Sequence, residues 1–170
     1  MKQKIVFLDV DGELTYSDYE NRETAGIDVE KVKLLKEICD KTDAKVVISS
    51  SWRGMGDYVP KIYTTLLNIL NQYDITVVGN TPYIPTEFDE NIPADKEFQV
   101  KYGTGRGAEI RQWISEHEID RFVILDDEDW NWSAYDYDKY WIQPTWFGDG
   151  GLKREHVDRA IEILNKVGEN

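Results

Sequence analysis

Two aspartates follow the first apolar run of the chain and could take part in chemistry. Residues 5–8 are all apolar and predict a buried strand. Asp9 and Asp11 come directly after this run, and Gly12 then permits a sharp turn of the backbone. Ligands of open α/β sheets bind just beyond the carboxyl ends of the strands. Because two acids at such a place repel each other, the pair indicates a bound divalent cation or a shared proton.

Two further polar turns follow apolar runs. The run 46–48 is followed by Ser49, Ser50 and the sequence Ser-Trp-Arg. Serine hydroxyls and backbone N–H groups at a strand-to-helix turn suit phosphate oxygens. The run 122–125 is followed by Asp126 and Asp127. Acidic pairs at neighbouring strand ends would place four carboxylates close together, and such hard oxygen ligands suit Mg²⁺.

Alternating strands and helices are predicted to position these turns. Apolar runs predict strands at residues 4–8, 45–48, 75–78, 121–125 and 139–142. Apolar residues at helical spacing predict a helix at 28–39 capped by Asp28, a second capped by Asp57, and two more at 107–117 and 154–167. This alternation favours an α/β fold in which a five-stranded, mainly parallel sheet has helices on both faces. The 170 residues contain no repeat or linker and are predicted to form one domain, 1–170.

The composition argues against several functions. The chain has 33 acidic and 20 basic residues and a formal net charge of −13. It lacks the basic surface of a nucleic-acid binder, so a small phosphorylated substrate is expected as the partner rather than a long nucleic acid. No apolar run approaches the ~18 residues that span a bilayer, and no signal peptide is expected. Cys39 is the only cysteine, which fits a cytoplasmic protein.

Two segments break the alternation of strands and helices. Residues 80–105 contain three prolines and several acids and are predicted to form an irregular insertion near the site. Residues 128–147 contain four of the six tryptophans. Trp130 follows Asp126 and Asp127 closely and would lie at the rim of the turn that they form, called here the acidic turn. Trp52 and Arg53 lie on the turn that begins at Ser49, called here the serine turn. All three are candidate substrate contacts. One hypothesis is that Trp130 stacks on a nucleobase, and the alternative is that the aromatic residues pack a small second core.

The three turns together resemble the motifs of the haloacid dehalogenase (HAD) superfamily of aspartate-nucleophile phosphotransferases. The resemblance implies a three-layer, Rossmann-like core in which Asp9 is the nucleophile and Asp11 the general acid and base. It also implies that Ser49 binds the transferred phosphoryl group. The Mg²⁺ of this superfamily would be held by Asp9, the backbone carbonyl of Asp11 and Asp127, with Asp126 binding directly or through water.

The remaining motif of the superfamily is a cation that neutralises the nucleophile and the phosphoryl group. Arg106 is preferred for this role, and Lys101 is the alternative. The sequences Ser-Ser-Ser-Trp-Arg, Arg-Gly-x-Glu-Ile, Leu-Asp-Asp and Gly-Leu at 151–152 resemble one branch of the superfamily over about residues 4–165. This branch comprises small HAD domains that occur alone in phages and bacteria or within multidomain RNA-repair proteins. Its members have no large cap domain, and the gap 15–28 leaves room only for a flap.

The resemblance implies a Mg²⁺-dependent phosphomonoesterase that forms an aspartyl-phosphate. A nucleotide or similar small phosphate ester is the expected substrate, with Ser49, Ser50 and Arg106 binding the phosphate. One alternative is an end-phosphatase of RNA or DNA, which the RNA-repair relatives suggest. A second alternative is a non-catalytic module that binds or sequesters nucleotides.

Overall fold

Five parallel strands form the centre of the fold. A computed structural model describes residues 2–15, 25–53, 60–84, 105–145 and 148–166. The strands are β1 (Gln3–Leu8), β2 (Ala44–Ile48), β3 (Val77–Asn80), β4 (Ile119–Leu125) and β5 (Trp141–Ile142). They form one sheet in the order β3-β2-β1-β4-β5, and every neighbouring pair is parallel. The prediction of a five-stranded parallel α/β sheet is therefore confirmed.

Helices cover both faces of this sheet. The described helices are α1 (Val29–Thr42), α2 (Pro60–Gln72), α3 (Gly105–Glu116) and α4 (Arg154–Asn165). Residues of α1, α2 and α4 share a buried cluster with one face of the sheet. Residues of α3 share a second cluster with the other face. The three-layer arrangement is thus confirmed, and the described ranges contain no large cap domain.

The strand β1 lies in the middle of the sheet and is buried on both sides. Val6 and Leu8 belong to the cluster with α1, α2 and α4, whereas Ile5 and Phe7 belong to the cluster with α3. Successive side chains of a strand point to opposite faces. A strand covered on both faces therefore reads as an uninterrupted apolar run, which is why the sequence predicts it well.

Several predicted boundaries differ from the structure. The helix α1 begins after the predicted N-cap Asp28, whose side chain accepts the Glu30 N–H at 2.9 Å, but it continues to Thr42. The strand predicted at 75–78 is shifted to Val77–Asn80, because the N–H of Ile75 still donates to the Leu70 carbonyl at the end of α2. The predicted cap Asp57 and residue 167 lie outside the described residues.

The fifth strand is shorter than predicted. Residues 138–140 form a 3-10 helix, and only Trp141 and Ile142 pair with β4. The Tyr140 N–H donates to the Tyr137 carbonyl at 2.8 Å instead of joining the sheet. Of the insertion predicted at 80–105, the described residues 81–84 have no regular structure and Gly105 already begins α3. Its residues 85–104 lie outside the described ranges.

No helix within the described ranges combines the length and the apolar character that crossing a membrane requires.

Candidate active site

Three turns meet at the carboxyl edge of the sheet. In the sheet, Leu8 is the register partner of both Ile48 and Leu125. The next residue of each strand therefore lies at the same level: Asp9 after β1, Ser49 after β2 and Asp126 after β4. The Asp9 N–H donates to the Leu125 carbonyl at 2.9 Å, and the Ser49 N–H donates to the Leu8 carbonyl at 2.8 Å. The fold thus brings together the three motifs that were recognised in the sequence.

Three carboxylates form a cluster at this edge. One oxygen each of Asp9, Asp126 and Asp127 lies within 4.8 Å of the others. Burial, followed by the charge of Asp9, raises the pKa of Asp126 to about 8 and that of Asp127 to about 6. Burial also raises the pKa of Asp9. A cluster of this kind is electrostatically costly when ionised, so a nearby cation is needed to hold it in the charged form.

Arg106 in the first turn of α3 supplies one cation. Its Nη1 lies 3.3 Å from Asp9 Oδ1 and 3.2 Å from Asp126 Oδ2, and it also donates to the Ser49 carbonyl. Burial alone would lower the pKa of Arg106, but the charges of Asp9, Asp126 and Glu109 together with the hydrogen bond to Asp9 leave the pKa raised. The preferred residue for the cationic motif thus contacts the proposed nucleophile. The alternative, Lys101, lies outside the described residues.

The serine turn places two hydroxyl groups near the nucleophile. Ser50 hydrogen-bonds the Asp9 carboxylate through its side chain and thereby helps to orient it. The buried Oγ of Ser49 has no hydrogen-bond partner among the described residues. A buried hydroxyl without a partner is costly, and a phosphoryl oxygen at this position would satisfy it. The role of Ser49 and Ser50 in phosphate binding stays a prediction that this arrangement suits.

Asp11 is held apart from the acidic cluster by two donors. The Thr15 hydroxyl donates to Asp11 Oδ1 at 3.0 Å, and the Trp52 indole N–H donates to Oδ2 at 2.8 Å. Trp52 is only 4% exposed and is part of the larger core cluster. The sequence suggested that Trp52 contacts substrate, but the structure buries its ring beneath the site, where it holds Asp11.

Arg53 is also buried rather than directed into the site. Its Nη2 lies 2.5 Å from Glu109 Oε2, and its Nη1 donates to the Ser50 carbonyl at 2.5 Å. Glu109 Oε1 in turn accepts the Ile84 N–H at 3.0 Å. This network ties the serine turn to α3, so Arg53 has a supporting position instead of the predicted contact with substrate. The sequence predicted no role for Glu109, because its partner Arg53 lies 56 residues away in the chain and such a pair leaves no local pattern.

Trp130 lies at the rim of the site, as predicted. Its indole N–H donates to Asp126 Oδ1 at 3.1 Å, and the Arg106 guanidinium carbon lies 5.0 Å from the centre of its ring. Trp132, two residues later, is fully buried in the second core with Phe7 and Tyr137. The aromatic segment therefore lies along the second core: Trp132 is buried inside it, and Trp130, partly buried, packs against it while contacting Asp126.

A cleft of about 780 Å³ opens above these groups. Its volume is in the range typical of small-ligand sites. The lining residues come from four turns and from the segment after β5: Asp9, Asp11, Ser51, Arg106, Asp127, Glu128, Trp130, Gln143, Pro144 and Thr145. Sequence reasoning missed the last three, although they follow the predicted fifth strand at the same edge of the sheet. Glu128, also in the lining, is exposed to solvent.

Comparison with family models supports the resemblance. A model for the HAD domain in Swiss Army Knife RNA repair proteins matches residues 5–157. The chain belongs to this HAD family. Neither the curated proteins nor the solved structures contain a match to the chain. Membership supports a phosphatase-type hydrolase in general and agrees with the parallel sheet and the lack of a large cap in the described ranges.

The first turn of this HAD domain approaches the acidic turn closely. Gly12 has a φ of +88°, and a Cβ at this residue would lie 2.5 Å from Asp127 Cγ and 2.8 Å from Asp127 Cβ. Only glycine combines this backbone conformation with such an approach. Gly12 therefore lets the turn after β1 lie directly against Asp127 of the turn after β4.

The oxygen ligands of the HAD domain fit a hard divalent cation. HAD proteins generally use Mg²⁺, and carboxylates with water are its usual ligands. Asp127 lines the cleft, whereas Asp126 does not and already accepts hydrogen bonds from Arg106, Trp130 and the Glu128 N–H. This difference favours Asp127 over Asp126 as the direct ligand, as the resemblance implied.

One buried acid in the HAD domain was not anticipated. Glu13 is fully buried, and neither of its carboxylate oxygens has a hydrogen-bond partner among the described residues. Burial and then the charge of Asp9 raise its pKa well above the usual value. The sequence contains no signal for this, because a glutamate after glycine in a turn is normally solvated.

Proposed function

We propose that the protein is a Mg²⁺-dependent phosphomonoesterase that acts on a nucleotide or a similar small phosphate ester through an aspartyl-phosphate. The observation that carries this proposal is the placement of Asp9. Its carboxylate lies in the cleft, 3.3 Å from Arg106 and within 4.8 Å of the Asp126 and Asp127 oxygens. A carboxylate among such groups is suited to attack phosphorus, because the charge that develops there is opposed by fixed cations and donors.

Each neighbouring residue has a definite task in this reaction. Asp9 Oδ attacks the phosphorus, and Asp11 gives a proton to the leaving oxygen. Asp11 then takes a proton from the water that hydrolyses the aspartyl-phosphate. Arg106 and the free hydroxyl of Ser49 hold the phosphoryl oxygens.

Asp9, Asp127 and the backbone carbonyl of Asp11 would hold the Mg²⁺, and Asp126 would support them from its contacts with Arg106 and Trp130. When bound, the cation neutralises negative charge on the phosphoryl oxygens.

The cleft supports a small substrate that carries a ring. Its volume of about 780 Å³ accommodates a ligand of nucleotide size. Trp130 lines it, and Gln143 and Thr145 offer amide and hydroxyl groups on the wall after β5. Stacking of a base on an exposed aromatic face contributes ~1–3 kcal/mol.

A second candidate function, dephosphorylation of RNA or DNA ends, is favoured by a cationic pocket on another part of the surface. This pocket of about 240 Å³ is lined by Arg121, Lys139, Arg159 and Lys166 together with Tyr140, Ile163 and one acid, Glu162, which pairs with Arg159 at 2.7 Å. Among the described residues, Arg121, Lys139 and Lys166 form no ion pair, although acids outnumber bases in the chain. Unpaired cations beside an aromatic ring suit the backbone of a single strand. The matching family, whose description refers to RNA repair proteins, points the same way.

A substrate panel tests both candidates. Purified protein with Mg²⁺ is offered 4-nitrophenyl phosphate, nucleoside monophosphates, and short oligonucleotides with 3′- or 5′-phosphates. The first candidate predicts release of phosphate from mononucleotides, loss of activity with EDTA and recovery with added Mg²⁺. A much higher kcat/KM for oligonucleotide ends would favour the second. Tight nucleotide binding without release of phosphate from any substrate would instead support a non-catalytic binding module.

A further inference from the structure

Trp52 is a buried residue that touches the site and has no role in the proposed function. It is 4% exposed, does not line the cleft, and belongs to the same buried cluster as Val10 and Leu14 of the β1 turn. Its one polar atom nevertheless lies 2.8 Å from Asp11 Oδ2. The ring is therefore anchored by the core while its N–H reaches a carboxylate that faces the cleft.

The two partners of Asp11 differ in what they can do. An indole N–H is only a donor, so Asp11 Oδ2 must accept from Trp52 at all times. The Thr15 hydroxyl, 3.0 Å from Oδ1, can donate or accept by rotating its hydrogen. Trp52 can thus hold the plane of the carboxyl group while Thr15 accommodates either the protonated or the ionised form.

We propose that Trp52 is a positioning residue that aims the Asp11 carboxyl group at the leaving oxygen of the substrate. This inference rests on the proposed phosphatase mechanism and adds to it the group that orients the proton donor. In the first step the Asp9 Oδ–phosphorus bond forms, the bond from phosphorus to the ester oxygen breaks, and the Asp11 proton moves to that oxygen to give the free alcohol. In the second step water attacks phosphorus, its proton moves to Asp11, and the bond to Asp9 breaks to release inorganic phosphate.

The dependence of rate on the leaving group separates positioning from mere packing. A good leaving group such as 4-nitrophenolate departs with little help from an acid, whereas an alkoxide needs its proton. Loss of a general acid typically costs ~10²–10⁴-fold in rate. The kcat/KM value reports the step that forms the phosphoenzyme, so it is compared for 4-nitrophenyl phosphate and for an alkyl phosphate such as glycerol phosphate.

Trp52→Phe keeps the buried ring but removes the N–H. We expect its kcat/KM for the alkyl ester to fall at least about tenfold further than for the nitrophenyl ester, a part of the full loss of a general acid. Thr15→Val, which removes the other donor, is expected to change the ratio of the two substrates in the same direction. Asp11→Asn removes the general acid itself, so it should give the largest ratio of kcat/KM for the nitrophenyl ester to kcat/KM for the alkyl ester.

The matched control is Trp132→Phe. Trp132 is also fully buried, and its indole N–H donates to the Glu128 carbonyl at 3.0 Å, away from Asp11. Its loss is expected to affect both esters by the same factor. If Trp52→Phe and Thr15→Val also lower kcat/KM for both esters by the same factor, or leave both values unchanged, the positioning role is wrong.

The failure of the proposed function would look different. In that case the wild-type protein would hydrolyse neither ester with Mg²⁺, or Asp11→Asn would show no dependence on the leaving group. Circular dichroism and the melting temperature of each variant identify any that does not fold. If Trp52→Phe is among these, Trp52→Tyr and Trp52→Leu, which also lack the indole N–H, take its place in the same comparison.

Discussion

Two tryptophans donate their indole N–H groups to acids of the site, yet their surroundings differ. Trp52 Nε1 lies 2.8 Å from Asp11 Oδ2, and Trp130 Nε1 lies 3.1 Å from Asp126 Oδ1. Trp52 is buried in the larger core, whereas Trp130 lines the cleft with its ring over Arg106. Both residues donate an indole N–H to a carboxylate, but Trp52 does so from the core and Trp130 from the wall of the cleft.

The acids that they contact differ in the same way. Asp11 faces the cleft, and its side-chain partners among the described residues, Thr15 and Trp52, are neutral. Asp126 is outside the cleft lining and is paired with Arg106. Asp11 is thus held by neutral donors at the cleft, whereas Asp126 is held by a buried cation away from the cleft lining. The same type of donor can therefore position a reacting group or stabilise a supporting one.

The largest expected effect comes from Asp9, which follows β1 and lies between the serine turn and the acidic turn. Asp9→Asn removes the nucleophile, and kcat should fall on the order of 10³-fold or more. The fold should be retained, and removal of one acid from the cluster should raise the melting temperature when Mg²⁺ is absent. Release of phosphate from 4-nitrophenyl phosphate measures the fall in kcat, and thermal melts measure the change in melting temperature. Asp120→Asn, an exposed acid of β4, is the control. A residual rate above a few per cent of wild type would show that Asp9 is not the nucleophile.

The next effect tests how closely the turn after β1 must approach the turn after β4. Gly12→Ala adds a methyl group within 2.5–2.8 Å of Asp127 atoms at a φ of +88°. We expect a loss of stability above ~1 kcal/mol from the backbone conformation and weaker Mg²⁺ binding from displacement of Asp127. Gly148→Ala is a matched control, because Gly148 has a φ of +66° but no atom within 4 Å of an added Cβ. Equal Mg²⁺ affinities in the two variants would contradict the close approach.

The acidic turn also predicts how stability depends on pH. The pKa of Asp127 is raised to about 6 and that of Asp126 to about 8, both above the usual value near 4 that applies to the unfolded chain. The folded protein without metal therefore binds more protons in this range, and its stability should decrease as pH rises from 4 to 8. Thermal melts in EDTA check this, and the increase in melting temperature with Mg²⁺ should be larger at pH 8 than at pH 5. Asp127→Asn should remove the part of the decrease in stability that occurs below pH 6. If melting temperature depended on pH in this variant as in the wild-type protein, the prediction would be wrong.

The smallest effect distinguishes Trp130 from Trp52 directly. Trp130→Phe keeps a ring over Arg106 but removes one donor to Asp126, which the Glu128 N–H still contacts at 3.0 Å. We expect a loss of about 1 kcal/mol in stability and equal effects on aryl and alkyl esters. Trp130→Ala, in contrast, should raise KM for nucleotides but not for a ring-free ester if the ring stacks on substrate. Equal KM changes for both substrates would assign Trp130 to packing alone.

The sequence by itself determined the framework on which the site is built. Strands such as β1 and β4, buried on both faces, appear as apolar runs, and the polar residues that follow them are local signals. Because parallel strands end at one edge, the convergence of Asp9, Ser49 and Asp126 could be predicted without coordinates. The family was recognisable for the same reason, since its motifs are short and lie at strand ends.

Only the tertiary structure decided which side chain of each turn faces the cleft. Trp52 and Arg53 lie on the serine turn and are predicted from the sequence to contact substrate, but packing against the core and the pair with Glu109 turn them inward. Glu13 is buried although its sequence context is that of a solvated turn. These outcomes depend on contacts between residues far apart in the chain, such as Arg53 with Glu109 and Gly12 with Asp127. Local patterns carry no record of such contacts, because the direction of a side chain at a turn is set by what packs against it.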